Sequence, residues 1–431
     1  MINSQKISVP RKVAILGGAR IPFVRSMTSY MGVSNQELMT ASLKALVERF
    51  GLHNQELGEV ALGAVMKHSS DWNMARECTL GSGLSPRTPA YDVQQACGTS
   101  LETAILVANK IALGQMDCGI AGGTDTNSDL PIVFSQGFAH SLQESFRAKS
   151  LKEKLKAFSR LRPKDLKPVV PGVVEPRTGL SMGQSCELMA QQWQVSREEQ
   201  DQLAFESHQK ALQAYDEGFY SDLVSPFYGQ QKDALPRKDT SLEKLAKLKP
   251  VFASPDVGTL TAGNSTALTD GSAAVLLASE DWARERGLPV QAYLSFAQTA
   301  AVNFVDEEGL LMAPAYAVPR LLSQAGLALQ DFDFYEIHEA FAAQVLCTLK
   351  AWESDDFCKN NLGLTKALGS IDRQKLNVKG GSVALGHPFA ATGARILASL
   401  AKMLQQKGSG RGLISICTAG GMGVTAIVEA P

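Results

Sequence analysis

The stretch QQACGTSLETAILVANKIALGQMDCGIAGG, residues 94–123, decides the fold class of this 431-residue chain. It opens with a polar loop around Cys97, continues as a helix rich in Ala, Leu and Ile over 99–113, and returns as a strand over 118–123. Strands and helices that alternate in this way are typical of a buried sheet covered by helices. The stretch therefore predicts an α/β fold.

A second stretch near the C-terminus has the same order of elements. HPFAATGARILASLAKMLQQKGSGRGLISICTAGG, residues 387–421, places His387 before a helix over 393–406, followed by a strand over 413–417 and another glycine pair. We interpret the two stretches as matching parts of two similar halves, with their reactive loops meeting between them. Alternatively, a glycine pair after a strand is common in α/β proteins, and the likeness would then have no structural meaning.

The rest of the chain extends this pattern on both sides. Further strands are predicted at 13–16, ended by Gly17-Gly18, and at 60–65, 274–278, 292–297, 334–337 and 424–428, with helices at 34–50 and 196–214. Residues 125–255 have a different texture and are predicted to fold over one face of the main body.

The composition is that of a globular protein and argues against several other classes. Hydrophobic residues make up 45% and charged residues 20%, with a net charge of −1, which is ordinary for a globular protein and selects for neither nucleic acid nor membrane. Seven scattered cysteines do not indicate a secreted disulfide framework, and no spacing of Cys and His indicates a structural zinc site. Residues 1–11 lack the apolar core of a signal peptide, so a cytoplasmic location is expected.

Residues 147–167, RAKSLKEKLKAFSRLRPKDLK, form a basic amphipathic segment. They carry nine Lys or Arg against two Asp or Glu, with Leu151, Leu155, Phe158 and Leu161 at helical spacing. One interpretation is a solvated helix whose apolar face joins the core. The others are a site for an anionic ligand, a membrane surface or a partner subunit.

One residue near the start of each paired stretch could take part in nucleophilic chemistry. Cys97 stands where a helix should begin, and the positive end of a helix dipole favours a thiolate. His387 stands on a loop between glycine and proline, where a neutral imidazole could take a proton from a nearby thiol. A buried inert cysteine and a loop histidine that caps backbone groups are the alternatives.

Three further segments could complete such a site. Cys417 ends a strand before a glycine-rich turn, whose N–H groups could face an oxyanion, although it could also be a small core residue. His338 follows a strand and could hold a water or donate to an oxyanion, or simply belong to a helix start. The small polar segment 261–272 could wrap a ligand's polar chain or be a plain loop.

Together these segments resemble the thiolase family, in five motifs that follow in the family's order. The motifs are the loop around Cys97, TAGNSTALTDG at 261–271, HEAFA at 338–342, GGSVALGHPFAATGAR at 380–395 and CTAGGMG at 417–423. His338 replaces the family's usual Asn, which is similar to the β-subunits of trifunctional fatty-acid-oxidation complexes and their bacterial forms, as is the basic segment. Ser181-Met182-Gly183 lacks the histidine of some short-chain thiolases, which disfavours dedicated acetoacetyl-CoA synthesis.

The resemblance implies a fold and an organisation. The expected fold is α/β, with two duplicated βαβαβαββ halves in a five-layer αβαβα sandwich and an inserted loop domain. The implied division is 1–124 for the first part of the N-terminal half, 125–255 for the loop domain over the active site, 256–282 for the end of that half and 283–431 for the C-terminal half. A homodimer or homotetramer is implied, and no metal or redox cofactor, with coenzyme A as a substrate.

The resemblance also implies the reaction, which is the thiolytic cleavage of a 3-ketoacyl-CoA. Cys97 would be the nucleophile, His387 its base and Cys417 a general acid and base, with His338 holding a water at one oxyanion site. The N–H groups of Cys97 and Ala419 would form a second oxyanion site, where alanine replaces a common glycine. The implied contacts to coenzyme A are Arg237, Phe252, Ala262, Ser265, Thr266, Met182, Ala340 and Phe341.

Other functions stay open from the sequence. An acetyl-CoA C-acetyltransferase would act on acetoacetyl-CoA alone. A condensing ketoacyl synthase would use one cysteine with two histidines and would not need Cys417. A non-catalytic subunit that binds acyl-CoA or a partner would lack at least one of the four reactive residues, yet all four are present. The basic segment could dock a hydratase/dehydrogenase α-subunit or a membrane surface; no nucleic-acid partner is expected.

Overall fold

The computed structural model describes residues 10–172, 174–306 and 308–431, so most of the polar N-terminus noted above lies outside the described residues. The strands are β1 (Val13–Arg20), β2 (Val24–Arg25), β3 (Glu59–Leu62), β4 (Ala90–Asp92), β5 (Cys118–Asp125), β6 (Thr269–Ser279), β7 (Ala292–Ala301), β8 (Phe334–Ile337), β9 (Arg411–Thr418) and β10 (Met422–Glu429).

The helices complete the α/β alternation that the sequence predicts. They are α1 (Asn35–Phe50), α2 (Met74–Gly81), α3 (Thr99–Ala112), α4 (Gln136–Arg147), α5 (Leu151–Phe158), α6 (Met182–Gln192), α7 (Arg197–Asp216), α8 (Leu242–Ala246), α9 (Glu280–Glu285), α10 (Ala313–Ala325), α11 (Ala342–Glu353), α12 (Asp355–Asn360), α13 (Ser382–Leu385) and α14 (Thr392–Lys407). Short 3₁₀ turns occur at Ala96–Gly98, Pro163–Leu166, Phe304–Asp306, Arg373–Lys375 and Phe389–Ala391.

The strand order shows the duplication directly. The described strands β4-β3-β5-β6-β1 of the first half continue into β7-β10-β9-β8 of the second. In the first half, β3 runs parallel to β5, then β6 and β1 follow antiparallel; in the second, β8 runs parallel to β9, then β10 and β7 follow antiparallel. The same order and the same directions therefore occur twice, and the two halves join where β1 pairs with β7.

One strand of the implied βαβαβαββ pattern is missing from the described residues of the second half. Where β4 stands in the first half, the second has a single bridge between Tyr335 and Leu376. The reason is Asn377, whose backbone has a positive φ of 45° and whose side-chain amide bonds both the N–H and the C=O of Ile337. A side chain thus replaces the strand ladder at this position.

The three largest apolar cores among the described residues correspond to the three helical layers. Val13 and Ile15 of β1 face the central layer of α3 and α14, whereas Ala14 and Leu16 face α1 on the outside. Helices α10 and α11 cover the outer face of the second half. Because both faces of the strands are covered, every residue of β1, β5 and β6 is buried.

Several predicted strand ends differ from the structure, and two of them are explained by specific contacts. Strand β1 does not stop at Gly17-Gly18: Gly17 forms a bulge with φ of 142°, and a Cβ at Gly18 would lie 2.6 Å from the Cβ of Ala398 on α14. The glycines therefore serve close packing inside the strand. Strand β3 ends at Leu62 instead of Val65, because the N–H of Val65 bonds the Asp125 carboxylate.

The basic segment is only partly helical, and its apolar face does not join the core. Helix α5 begins with a capping box at Ser150 and Glu153 and ends at Phe158. Leu151 is 74% exposed and Leu155 is 64% exposed, so the interpretation of an apolar core face is wrong for these two residues. No helix in the described parts of the chain has the length and apolar character needed to cross a bilayer.

Candidate active site

Cys97 lies at a tight turn between β4 and α3. Ala96 has a positive φ of 46°, which is rare for a residue with a side chain and is stabilised only by its surroundings. The hydroxyl of Thr99 supplies that support: it accepts from the Gln95 N–H at 2.8 Å and donates to the Ala96 C=O at 2.7 Å. Cys97 is half-buried, whereas the other six cysteines are buried. The turn thus leaves the Cys97 thiol partly exposed, unlike the other cysteine thiols.

His387 meets this thiol from the other half of the molecule. Its Nε2 lies 3.1 Å from the Cys97 Sγ, and its Nδ1 lies 2.6 Å from the Thr392 hydroxyl. The backbone N–H of His387 donates to Thr269 Oγ1 at 2.8 Å, which fixes the loop. For Nε2 to accept the thiol proton, Nδ1 must carry the hydrogen and donate it to Thr392. The two reactive loops meet, as the paired stretches predict.

Asp125, at the end of β5, ties the loop after β3 to the loop that carries His387, and it was not predicted from the sequence. One carboxylate oxygen accepts from the N–H groups of Val65 and Met66, and the other accepts from Ala390, three residues after His387. Burial raises the pKa of Asp125 to about 7, although these backbone donors oppose the rise. The signal in the sequence was an acid two residues after the glycine pair of a strand.

The protonation of the Cys97–His387 pair differs from the sequence expectation. Burial raises the pKa of the Cys97 thiol to about 12, and the N–H groups of Ala419 and of Cys97 itself only partly oppose the rise. Burial and the charge of Arg395 lower the pKa of His387 to about 3. The helix position therefore does not make a resting thiolate: desolvation outweighs the dipole, and a neutral thiol faces a neutral imidazole.

This pair predicts the pH dependence of alkylation. The inactivation rate with iodoacetamide is expected to rise with pH across the range from pH 6 to 10 and to approach its limit only near the thiol pKa of about 12. A Cys–His ion pair would instead give a rate that is constant above neutral pH. The rate is measured from the activity that remains after timed exposure to iodoacetamide at each pH. An inactivation rate that stays constant between pH 7 and 9 would contradict the neutral pair.

Cys417 and its glycine turn lie at the same cavity. Cys417 is the penultimate residue of β9, and burial raises the pKa of its thiol well above the ordinary value. Gly420 and Gly421 follow with positive φ values of 78° and 68°. The Gly420 N–H donates to Glu175 at 2.6 Å, so a carboxylate of the inserted region holds this turn. Glu175 was not predicted from the sequence.

His338 lies beside His387, in the loop between β8 and α11. The ring centroids of the two histidines are 4.1 Å apart. Burial, His387 and Arg395 lower the pKa of His338 well below its ordinary value. Its Nδ1 lies 2.8 Å from Ser382 Oγ, and its Nε2 is buried without a hydrogen-bond partner among the described residues. The helix itself begins only at Ala342.

Cys97, His338 and His387 also offer three ligand atoms within 4.8 Å of one another, the one such group among the described residues. The sequence motifs predict these three residues in one active site, but no spacing of Cys and His indicates them as a metal site, because they are far apart in the chain. The positive charge of Arg395, which lowers the pKa of both histidines, also opposes a metal cation there.

A cavity of about 730 Å³ connects most of the predicted residues. It is lined by Cys97, His387, Cys417 and Ala419 of the predicted catalytic groups and by Met182, Phe252, Thr266, Ala340 and Phe341 of the predicted coenzyme A contacts. The segment 261–271 contacts two loops of the C-terminal half at the site, since the Thr266 N–H bonds the Ala340 C=O and Leu268 bridges to His387.

The remaining predicted contacts line a second, smaller cavity of about 150 Å³. Arg237, Ala262 and Ser265 lie there, together with Arg25, which was not predicted from the sequence. Both arginines are exposed, and neither forms an ion pair within the part of the chain that the structure describes. Two free guanidinium groups beside a groove suit an anionic ligand such as a phosphate.

Gly183 controls the position of Phe252 in the larger cavity. A Cβ at Gly183 would lie 2.2–2.4 Å from three ring atoms of Phe252. Gly183→Ala is therefore expected to displace the ring and raise KM for an acyl-CoA about tenfold, as for a lost contact of about 1.4 kcal/mol. Steady-state kinetics measure this. Gly172→Ala is the matched control, because its nearest atom is 3.9 Å away; an equal rise in both variants would contradict the role of Phe252.

Comparison with known proteins agrees with this geometry. The family model described as the thiolase N-terminal domain matches residues 13–281, and that of the thiolase C-terminal domain matches residues 288–430. The chain is 44% identical over 425 residues to proteins named 3-ketoacyl-CoA thiolase from Yersinia pestis and Yersinia pseudotuberculosis, covering 97% of each chain.

Two solved structures have the same fold. The acetyl-CoA acetyltransferase of Bacillus anthracis superposes with a TM-score of 0.81 at 31% identity, covering 98% of this chain and 100% of the other. The Acat5 thiolase of Ascaris suum, solved in complex with coenzyme A, superposes with a TM-score of 0.81 at 27% identity and the same coverage.

Proposed function

The chain belongs to the thiolase family of acyltransferases, and from this premise we propose that it is a 3-ketoacyl-CoA thiolase of fatty-acid β-oxidation. It would cleave a 3-ketoacyl-CoA with coenzyme A into acetyl-CoA and a shortened acyl-CoA. The observation that carries the proposal is the contact of 3.1 Å between Cys97 Sγ and His387 Nε2, at a cavity that Cys417 also lines.

The first half-reaction begins at the neutral pair. As Sγ of Cys97 attacks the 3-keto carbon, its proton passes to His387 Nε2, and the bond between C2 and C3 breaks. The electron pair of that bond remains on the acetyl-CoA enolate, whose oxygen is stabilised at His387 and His338. The thiol of Cys417 protonates C2, for which its raised pKa suits it, because a protonated thiol is an available acid.

The second half-reaction releases the acyl group. The thiolate of Cys417 takes the proton of an incoming coenzyme A thiol, whose sulfur attacks the thioester on Cys97. The N–H groups of Cys97 and Ala419, which both point toward the Cys97 sulfur, would hold the oxyanion of this step. The thiolate of Cys97 then leaves and is reprotonated by His387. A covalent intermediate of this kind predicts ping-pong kinetics.

The supporting site and domain assignments follow from the same arrangement. We propose that coenzyme A enters along Arg237, Ala262 and Ser265, with its thioester end between Met182 and Phe341. The acyl chain would fill the apolar remainder of the larger cavity. Residues 125–255 would form the loop domain that covers this site, and no metal is needed for any step.

The test is the cleavage of a 3-ketoacyl-CoA series from acetoacetyl-CoA to 3-ketopalmitoyl-CoA. Cleavage of the longer members is expected, because the cavity of about 730 Å³ at Cys97 is lined mainly by apolar groups that suit an acyl chain. Activity confined to acetoacetyl-CoA would assign an acetyl-CoA C-acetyltransferase instead. Absence of cleavage along the whole series, in protein with its native fold, would favour a non-catalytic subunit that binds acyl-CoA or a partner.

The basic segment supports a proposal about partners. Lys and Arg side chains accompany the exposed Leu151 and Leu155, a combination that fits an anionic membrane surface or a hydratase/dehydrogenase α-subunit. We propose such a partner in addition to a homodimer or homotetramer in the cytoplasm. Deletion of residues 150–164 is expected to weaken sedimentation with anionic vesicles or co-purification with the α-subunit. Unchanged association in both assays would exclude the segment as the docking site.

A further inference from the structure

The two neighbouring histidines contact different hydroxyl partners, and these partners decide which ring nitrogen carries the hydrogen. His387 uses Nδ1 against Thr392 and leaves Nε2 free to accept from Cys97. His338 uses Nδ1 against Ser382, and its Nε2 is buried without a partner among the described residues, on a ring whose centroid lies 4.1 Å from that of His387. The state of Ser382 therefore determines what His338 can do.

Ser382 is held by a third group, the guanidinium of Arg395. Arg395 Nη2 donates to Ser382 Oγ at 2.7 Å, and a guanidinium can only donate. The hydroxyl hydrogen of Ser382 then needs an acceptor, and His338 Nδ1, at 2.8 Å, is the one acceptor of this hydroxyl in the described chain. Ser382, Arg395 and His338 are all nearly fully buried, so water does not offer an easy alternative.

We infer that Ser382 and Arg395 are positioning residues that hold His338 in the tautomer with hydrogen on Nε2, so that this N–H donates directly to the enolate oxygen. The inference rests on the proposed function for the identity of that oxygen. It replaces a water held at His338 with a direct donor. The pair then divides the work: His387 takes the proton from Cys97, while His338 stays neutral and donates a hydrogen bond.

The electrostatics of the site agree with this division. The pKa of His338 lies well below its ordinary value, because burial, His387 and Arg395 all disfavour the imidazolium. His338 therefore stays neutral at working pH, and it does not compete with His387 for the proton of Cys97. The Arg395 guanidinium polarises the Ser382 hydroxyl through their hydrogen bond, and the hydroxyl in turn polarises the His338 ring, which strengthens donation from Nε2. Such a preorganised donor is worth more in a dry site than in water.

The direct test is the tautomer itself. In protein with ¹⁵N-labelled histidine, long-range ¹H–¹⁵N correlations distinguish protonated from unprotonated ring nitrogens, and the His338 signals are identified by their loss in His338→Gln. The expected result for the resting enzyme is hydrogen on Nε2 of His338 and on Nδ1 of His387. Hydrogen on Nδ1 of His338 would overturn the inference. This readout needs no substrate, so it stands apart from a failure of the proposed function.

A matched pair of variants tests the consequence for catalysis. Ser382→Ala is expected to lower kcat at least tenfold with KM within about twofold, because the lost stabilisation belongs to the transition state. It is also expected to give mixed tautomers at His338. Ser415→Ala removes an equally buried hydroxyl next to the His338 backbone, one without a hydrogen-bond partner in the described chain. Equal loss of kcat in both variants, or no loss in Ser382→Ala, would overturn the inference.

Discussion

Cys97→Ala is expected to abolish turnover of every 3-ketoacyl-CoA, with kcat reduced by about 10⁴–10⁶, the loss typical of a deleted nucleophile. Without the sulfur, no thioester forms, and neither His387 nor Cys417 can substitute for it as an acyl acceptor. The measurement is steady-state thiolysis together with the mass of the intact protein after mixing with substrate in the absence of coenzyme A. The parent enzyme is expected to gain the mass of one acyl group, and the variant none.

The control uses the other buried thiols of the chain. Cys118→Ala removes a buried cysteine of β5. It should keep both the acyl adduct and turnover, although it costs some stability through a small cavity. A brief treatment with iodoacetamide should label the parent enzyme once, because the other six cysteines are buried. Acylation that persists in Cys97→Ala would show that a different residue carries the acyl group and would refute the proposed mechanism.

The fold could be predicted from sequence because local signals agreed with the global pattern. The stretch around Cys97 and the stretch around His387 each show a reactive loop, a helix and a strand in order, and the structure pairs them as equivalent parts of two halves. Helix α7 begins where Ser196 caps it, as its sequence predicts. These features depend on residues that are close in the chain, which is where pattern reasoning is strongest.

The failures share a different cause, which is contact between distant residues. Gly17-Gly18 was predicted to end a strand, but the position of Ala398 explains why glycine is needed inside it. Asp125 holds two loops through backbone N–H groups from Val65 and Ala390, and Ser382 acts only because Arg395 reaches it. No spacing in the sequence predicts these contacts, since each partner belongs to another element of the fold.

The raised pKa of Cys97 illustrates the same limit in electrostatics. A position just before a helix suggests a stabilised thiolate, but the sequence does not state how much solvent the fold removes. In the structure, desolvation dominates for Cys97, His387 and Cys417 alike. The site is therefore built to move protons during the reaction instead of holding charges at rest, which gives the acid Cys417 a role in both half-reactions beside the nucleophile.

Cys417→Ala is accordingly expected to lower kcat by about 10²–10⁴, the usual contribution of a general acid or base. The variant lacks both the proton donor for the acetyl-CoA enolate and the base for the incoming coenzyme A thiol, so each half-reaction should slow. The first is measured as the rate of acyl-adduct formation on Cys97 by rapid quench and intact mass. The second is measured as the rate at which added coenzyme A removes an acyl group already on Cys97.

Two controls separate this role from packing. Cys347→Ala removes a fully buried cysteine of α11 that does not line the cavity, and it should leave both half-reactions unchanged. Alkylation of Cys97 by iodoacetamide should proceed at the parent rate in Cys417→Ala, because His387 still lies 3.1 Å from the thiol. If only one half-reaction slows, Cys417 serves as acid or as base but not both. If alkylation slows equally, the substitution has disturbed the nucleophile instead, and the acid–base assignment of Cys417 fails.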